Sequence, residues 1–135
     1  MGISSQQAQA AIDGALARAR VLGVPVNIAV LDSGCHLKAF HRMDGAFPGS
    51  IDVAQRKART AALFFCNSED LWEYCKPGGV GPGLERSNGG LMTFAGGISL
   101  KSPDGAVVGA IGISGGAVAQ DQEIARAGAA AFAAL

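Results

Sequence analysis

Apolar residues recur along this chain with two periods, and the switches between them lay out its elements. Ala8, Ile12, Ala15, Ala19 and Leu22 fall three or four apart, the spacing of one helix face. Ser4 and Ser5 are good N-caps for that helix, and Gly23 ends it. After Val24-Pro25, the stretch Val26–Leu31 is apolar at nearly every position, which predicts a strand buried on both faces. Asp32-Ser33-Gly34 is turn chemistry, so a second strand, His36–Met43, is expected to return antiparallel. Ser50 is placed to cap a second helix, Ile51–Phe65, with Ile51, Ala54, Ala58, Ala61 and Phe65 on one face. Ser68 is placed to cap a short helix through Tyr74. Lys76–Gly90 is crowded with glycine and proline and is expected to be an irregular surface loop. Leu91–Phe94 and Ile98–Lys101 predict short strands around a bend at Ala95-Gly96-Gly97. A longer strand, Ala106–Ser114, follows the Ser102–Gly105 turn, and Ala117–Ala133 is the last helix.

Helices before, between and after clustered antiparallel strands predict a layered α+β domain and not a βαβ repeat. At 135 residues the chain makes one domain, 1–135, with no internal repeat. Apolar residues make up 49% and the net charge is zero, which excludes disorder and a nucleic-acid surface. No apolar run is long enough to span a membrane, and the polar stretch Met1–Gln9 lacks the core of a secretory signal. The three cysteines, Cys35, Cys66 and Cys75, are odd in number and fit no CxxC spacing. Reduced thiols and a cytoplasmic location are expected, without membrane or nucleic-acid partners.

Chemistry concentrates in Ala29–Ala46, AVLDSGCHLKAFHRMDGA, which holds both histidines, Cys35, Lys38 and Arg42. Strand alternation places His36, Lys38, Phe40 and Arg42 on one side and Leu37, Ala39, His41 and Met43 on the other. Without a bulge, His36 and His41 therefore cannot ligate one metal ion from a single subunit. The His36 side is cationic with an apolar platform, suited to a planar or apolar ligand bearing carboxylates. Gly112-Ile113-Ser114-Gly115-Gly116 matches G-x-S-x-G, but both histidines precede Ser114, so the hydrolase order of Ser, Asp and His is impossible. Ser114, Gly115 and Gly116 instead predict a helix-opening turn whose free amides hold a carboxylate or phosphate. The GGVGPG run at 78–83 lacks the Gly-Lys-Ser/Thr ending of a phosphate loop. Arg56, Lys57 and Arg59 form a basic cluster on the second helix, with Lys57 nearest its apolar side.

Three segments together resemble the GlcG/HbpS family of haem-binding-like proteins, which includes the C-terminal domain of PduO-type proteins. They are Ile28–Ala46, Lys57–Ala61 (KARTA), and Val107–Gly128 with its glycines, Ser114 and Gln120-Asp121. Gly96-Gly97 also matches. The resemblance implies a profilin-like fold, an antiparallel sheet flanked by helices, and a homo-oligomer. It implies a small-molecule ligand, haem foremost, with His36 as axial ligand and Lys38 or Arg42 pairing with propionates. Cys35 and His41 are the second-choice ligands. Cys35 departs from the family pattern, standing where a second glycine is usual. The alternative expectation is an enzyme of a catabolic pathway acting on an organic acid. There His41 or His36 would be the base, Arg42 the carboxylate clamp and Ser114–Gly116 the oxyanion site. A third is a structural or regulatory oligomer without a ligand.

Overall fold

The computed structural model describes residues 2–135. Helix α1, Ser5–Leu22, starts from Ser4, whose hydroxyl accepts from the Gln7 amide while the Gln7 side chain accepts from the Ser4 amide, and it ends at Gly23 with φ 69°. Strands β1, Asn27–Asp32, and β2, Leu37–Arg42, form the first hairpin. Helix α2, Gly49–Phe64, is followed by a 3-10 turn, Ser68–Leu71, and the short helix α3, Trp72–Cys75. A single 3-10 turn, Leu84–Arg86, interrupts the Gly/Pro-rich loop. Strands β3, Gly97–Lys101, and β4, Val107–Ser114, form the second hairpin, and α4, Val118–Ala133, closes the chain. The four strands are ordered β2-β1-β4-β3 and every neighbouring pair is antiparallel. This is the α+β architecture that the order of elements predicts.

The two sheet faces are built from different residue sizes. Ile28, Val30, Ile98, Leu100, Ile111 and Ile113 share one face and pack under α1 and α4. Burying each such side chain contributes about 1.5–3 kcal/mol. The opposite face carries Ala29, Ala110, Gly112 and Gly97 in register and lies under α2. A Cβ on Gly112 would sit 1.9 Å from the Ala54 carbonyl oxygen, and one on Gly97 would sit 2.3 Å from that of Lys57. Small residues there let the α2 backbone rest directly on the sheet. The same device joins α1 to α4, where a Cβ on Gly14 would meet Ala131 Cβ at 2.4 Å.

Four expectations are corrected. Asn67, and not Ser68, is the cap residue, and it opens a 3-10 turn before the short helix Trp72–Cys75. Leu91–Phe94 forms no strand. Its backbone groups go elsewhere: the Leu91 amide donates to the Glu85 carbonyl, the Met92 amide to Thr60 Oγ1, and the Phe94 carbonyl accepts from Ser68 Oγ. Helix α2 starts at Gly49 with Pro48 in the cap position and no side-chain cap, so Ser50 lies inside the helix. Finally, the register of β2 slips: Val30 opposes Ala39 but Leu31 opposes Leu37. Lys38 is the extra residue of a β-bulge, and strict alternation fails there. Leu37, and not Lys38, joins Phe40 and Arg42 on the α2 side.

Candidate functional site

The β1–β2 turn is organised by one carboxylate. Asp32 Oδ1 accepts from the Gly34 amide at 2.9 Å and the His36 amide at 3.0 Å. These contacts, the His36 amide foremost, hold the Asp32 carboxyl below its ordinary 3.8. Cys35 closes the turn with φ 67°, a left-handed conformation that favours glycine and costs other residues roughly 1–2 kcal/mol. Its half-buried thiol packs against Leu31 and the alanines of α2, and burial pushes the thiol's pKa up.

His36 lies just before β2, with its side chain 83% exposed and Nδ1 3.4 Å from Asp32 Oδ1. The ring folds back over the turn, because a Cβ on Gly34 would stand 3.0 Å from His36 Nδ1. The carboxylate lies on the Nδ1 side of the imidazole, so Nε2 is the ring nitrogen left free to ligate. His41 is half-buried opposite Ile28, on the α1/α4 side. Four residues of strand separate it from His36, roughly 15 Å of chain, so the two do not meet. Among the described residues no group of three or more His, Cys, Asp or Glu side chains could hold a metal ion.

Arg42 and Ser114 lie on one face at the opposite end of the sheet, two strands apart with β1 between them. Asn27 opposes Arg42 on one side and Ser114 on the other, and directly opposed residues project to the same face. Asn27 is fully buried; its Nδ2 donates to the Phe47 carbonyl at 3.1 Å, and its Oδ1 is buried without a partner. Ser114 is 6% exposed, so the G-x-S-x-G segment presents no nucleophile to solvent. The Ser114–Gly116 turn does hold a carboxylate, but an internal one: the Gly116 amide donates to Asp121 Oδ1 at 2.9 Å.

The other oxygen of Asp121 meets Lys57, and this pair is the site that sequence patterning passed over. Lys57 Nζ lies 3.1 Å from Asp121 Oδ2 and donates to the Ile113 carbonyl at 2.8 Å, with both side chains almost fully buried. The ammonium also sits 4.7 Å from the centroid of Phe94. Gly96, with φ 124°, leaves the room: a Cβ there would stand 2.8 Å from Nζ. Burial pulls the Lys57 pKa down while Asp121 raises it, and burial pushes the Asp121 pKa up against the pull of Lys57. The available signal was Lys57 near the apolar face of a helix, together with a lone acid, Asp121, just after a glycine turn. Outside Phe94, a cleft of about 410 Å³ is lined by Trp72, Phe94, Ala95 and Val118.

Residues 3–130 match the family model described as haem degrading protein HbpS-like. The chain belongs to the HbpS-like family. Its similarity to the corrinoid adenosyltransferase PduO of Citrobacter freundii is 36% identity over 133 residues, 98% of this chain but 39% of that protein. The chain thus spans well under half the length of the adenosyltransferases it matches. Among solved structures, it resembles the Klebsiella pneumoniae protein ORFY (31% identity, 98% of this chain and 92% of that one, TM-score 0.94). It also resembles the PduOC–haem complex (34% identity, 97% and 95%, TM-score 0.91). In HbpS-like terms, the segments that carry the resemblance now have separate jobs. The VLDSG turn fixes His36, while KARTA, Gly96-Gly97 and Gly116–Asp121 together build the buried Lys57–Asp121 pair.

Proposed function

We propose that this protein binds haem, or a related planar carboxylated molecule, through His36, and that it works in the cytoplasm as a homo-oligomer. The observation that carries this reading is an exposed imidazole oriented by a buttressing carboxylate, in a chain 34% identical to the protein of a haem complex. The residues around His36 suit the group. Nδ1 is engaged by Asp32, so Nε2 is the free axial donor. Lys38, exposed on the bulge two residues on, supplies a cation for a propionate, and Leu37, 52% exposed, supplies apolar contact. Arg42 lies at the far end of β2 beside Asn27 and Ser114, so Lys38 is the propionate partner in this reading. When bound, haem would supply iron-centred ligand and redox chemistry; the chain's own part is to orient the imidazole and pair the propionate.

The haem edge would project beyond a single turn. The unpaired edge of strand β2 and the exposed Leu37 beside His36 favour a second copy as its cover. Haemin titration of the purified protein tests the proposal. A Soret shift that is lost in His36→Ala, with unchanged thermal unfolding of the variant, supports it. No shift, or the same shift in His36→Ala, overturns it.

A further inference from the structure

A second site lies on the α2 side of the same turn. Between Cys35 and the Asn88-Gly89 corner of the long loop runs a cleft of about 330 Å³, with Leu31 and Cys35 on its floor and Arg56 and Arg59 on its wall. The two arginines are three residues apart on α2 and so share a helix face. Their surroundings are unequal. Arg56 is bound to Asp52, Nε to Oδ2 at 2.7 Å, and also donates to the Gly89 and Gly90 carbonyls. Arg59 donates to the Asn88 carbonyl and has no carboxylate partner among the described residues. A guanidinium carries five N–H donors in a fixed fork, so most of those on Arg59 are unspent. Asp52 is the one carboxylate lining the cleft, and it is already matched to Arg56. A cleft with an apolar floor and one uncompensated, fork-shaped cation matches the charge of a small oxyanion and its short carbon stem.

We propose that this cleft binds a small molecule bearing a carboxylate or phosphate, held by Arg59 with Arg56 beside it, its apolar part resting on Leu31 and the Cys35 thiol. The site lies apart from the haem reading and stands without it. Its volume lies at the small end of the range for small-molecule pockets.

Cys35 is a built-in reporter. The intact protein is alkylated in parallel with iodoacetate, an anion, and iodoacetamide, its neutral analogue, and modification of Cys35 and Cys66 is followed by mass spectrometry. A site that gathers anions gives an iodoacetate-to-iodoacetamide rate ratio at Cys35 roughly tenfold that at Cys66, the low end of what a focused charge does to local anion concentration. Arg59→Gln brings the ratio down to that of Cys66, and Arg59→Lys keeps part of it. Succinate and inorganic phosphate, tested separately, slow iodoacetamide at Cys35, and the stronger protector decides between carboxylate and phosphate. Equal ratios at the two cysteines overturn the proposal in the wild-type protein alone, whatever becomes of the variants. So do an unchanged ratio in folded Arg59→Gln, no protection by either anion, and a Cys35 that reacts with neither reagent.

Discussion

Lys57 Nζ stands 3.1 Å from Asp121 Oδ2, and neither side chain reaches solvent. The contact joins the middle of α2 to the first turn of α4 through the end of β4, where the Ile113 carbonyl accepts a further hydrogen bond from the ammonium. Three elements distant in sequence are thus fixed by one charge pair. Its low-dielectric surroundings make each partner costly without the other.

Removing either partner therefore destabilises the fold strongly. Lys57→Met and Asp121→Asn are each expected to cost about 3–5 kcal/mol, because each strands a buried charge. The double variant should cost clearly less than the two losses added together. Denaturant unfolding of the four proteins measures the coupling, and additive losses would show that the pair does not act as a unit.

Gly112 should be the least replaceable glycine of the sheet. A Cβ there would fall 1.9 Å from the Ala54 carbonyl oxygen, backbone that cannot move aside without lifting α2. Gly112→Ala is expected to lose about 3 kcal/mol or more, the upper range for overpacking. A Cβ on Gly128 meets the flexible Ile111 Cδ1 at 2.4 Å and backbone only at 2.9 Å, the Ala11 carbonyl oxygen, so Gly128→Ala should lose less. Chemical denaturation of the two variants side by side gives the order.

At position 35 the usual ranking of alanine over glycine should reverse. The turn requires φ 67° there, where a side chain costs roughly 1–2 kcal/mol and glycine almost nothing. Cys35→Gly is expected to be about 1 kcal/mol more stable than Cys35→Ala. Equal melting temperatures for the two would show that the turn relaxes out of the left-handed region.

The Asp32 turn sets part of the acid limb of stability. Its folded pKa lies below the ordinary 3.8, chiefly through the His36 amide. A depressed carboxylate contributes stability that is present above 3.8 and lost as pH falls through the folded value. Asp32→Asn should remove that contribution, so the stability difference between wild type and variant narrows below pH 3.8. A difference that stays constant down the acid limb would rule the contribution out.

Much of the fold was legible in the sequence, because amphipathic spacing and caps act locally. The order of elements, the Ser4 cap, the Gly23 stop and the Asp32-Ser33-Gly34 turn all follow from residues within one or two turns of one another. Leu91–Phe94 misled for the converse reason. Its four residues look like a strand, yet distant groups, Thr60 Oγ1 and Ser68 Oγ, take up their backbone bonds.

The candidate site divides along the same line. Sequence alone determined that His36 follows an Asp-organised turn, that Cys35 stands where glycine is favoured, and that this is an HbpS-like α+β chain. Only the tertiary structure decided that Arg42 and Ser114 flank Asn27 at the far end of the sheet from His36. It alone placed Lys57 on Asp121, turned the Ser114–Gly116 amides inward and set Arg59 over Cys35. Each of these depends on strand register and helix docking, which are fixed by which side chains are small enough to let backbones touch, and a one-residue bulge at Lys38 is enough to reassign a face.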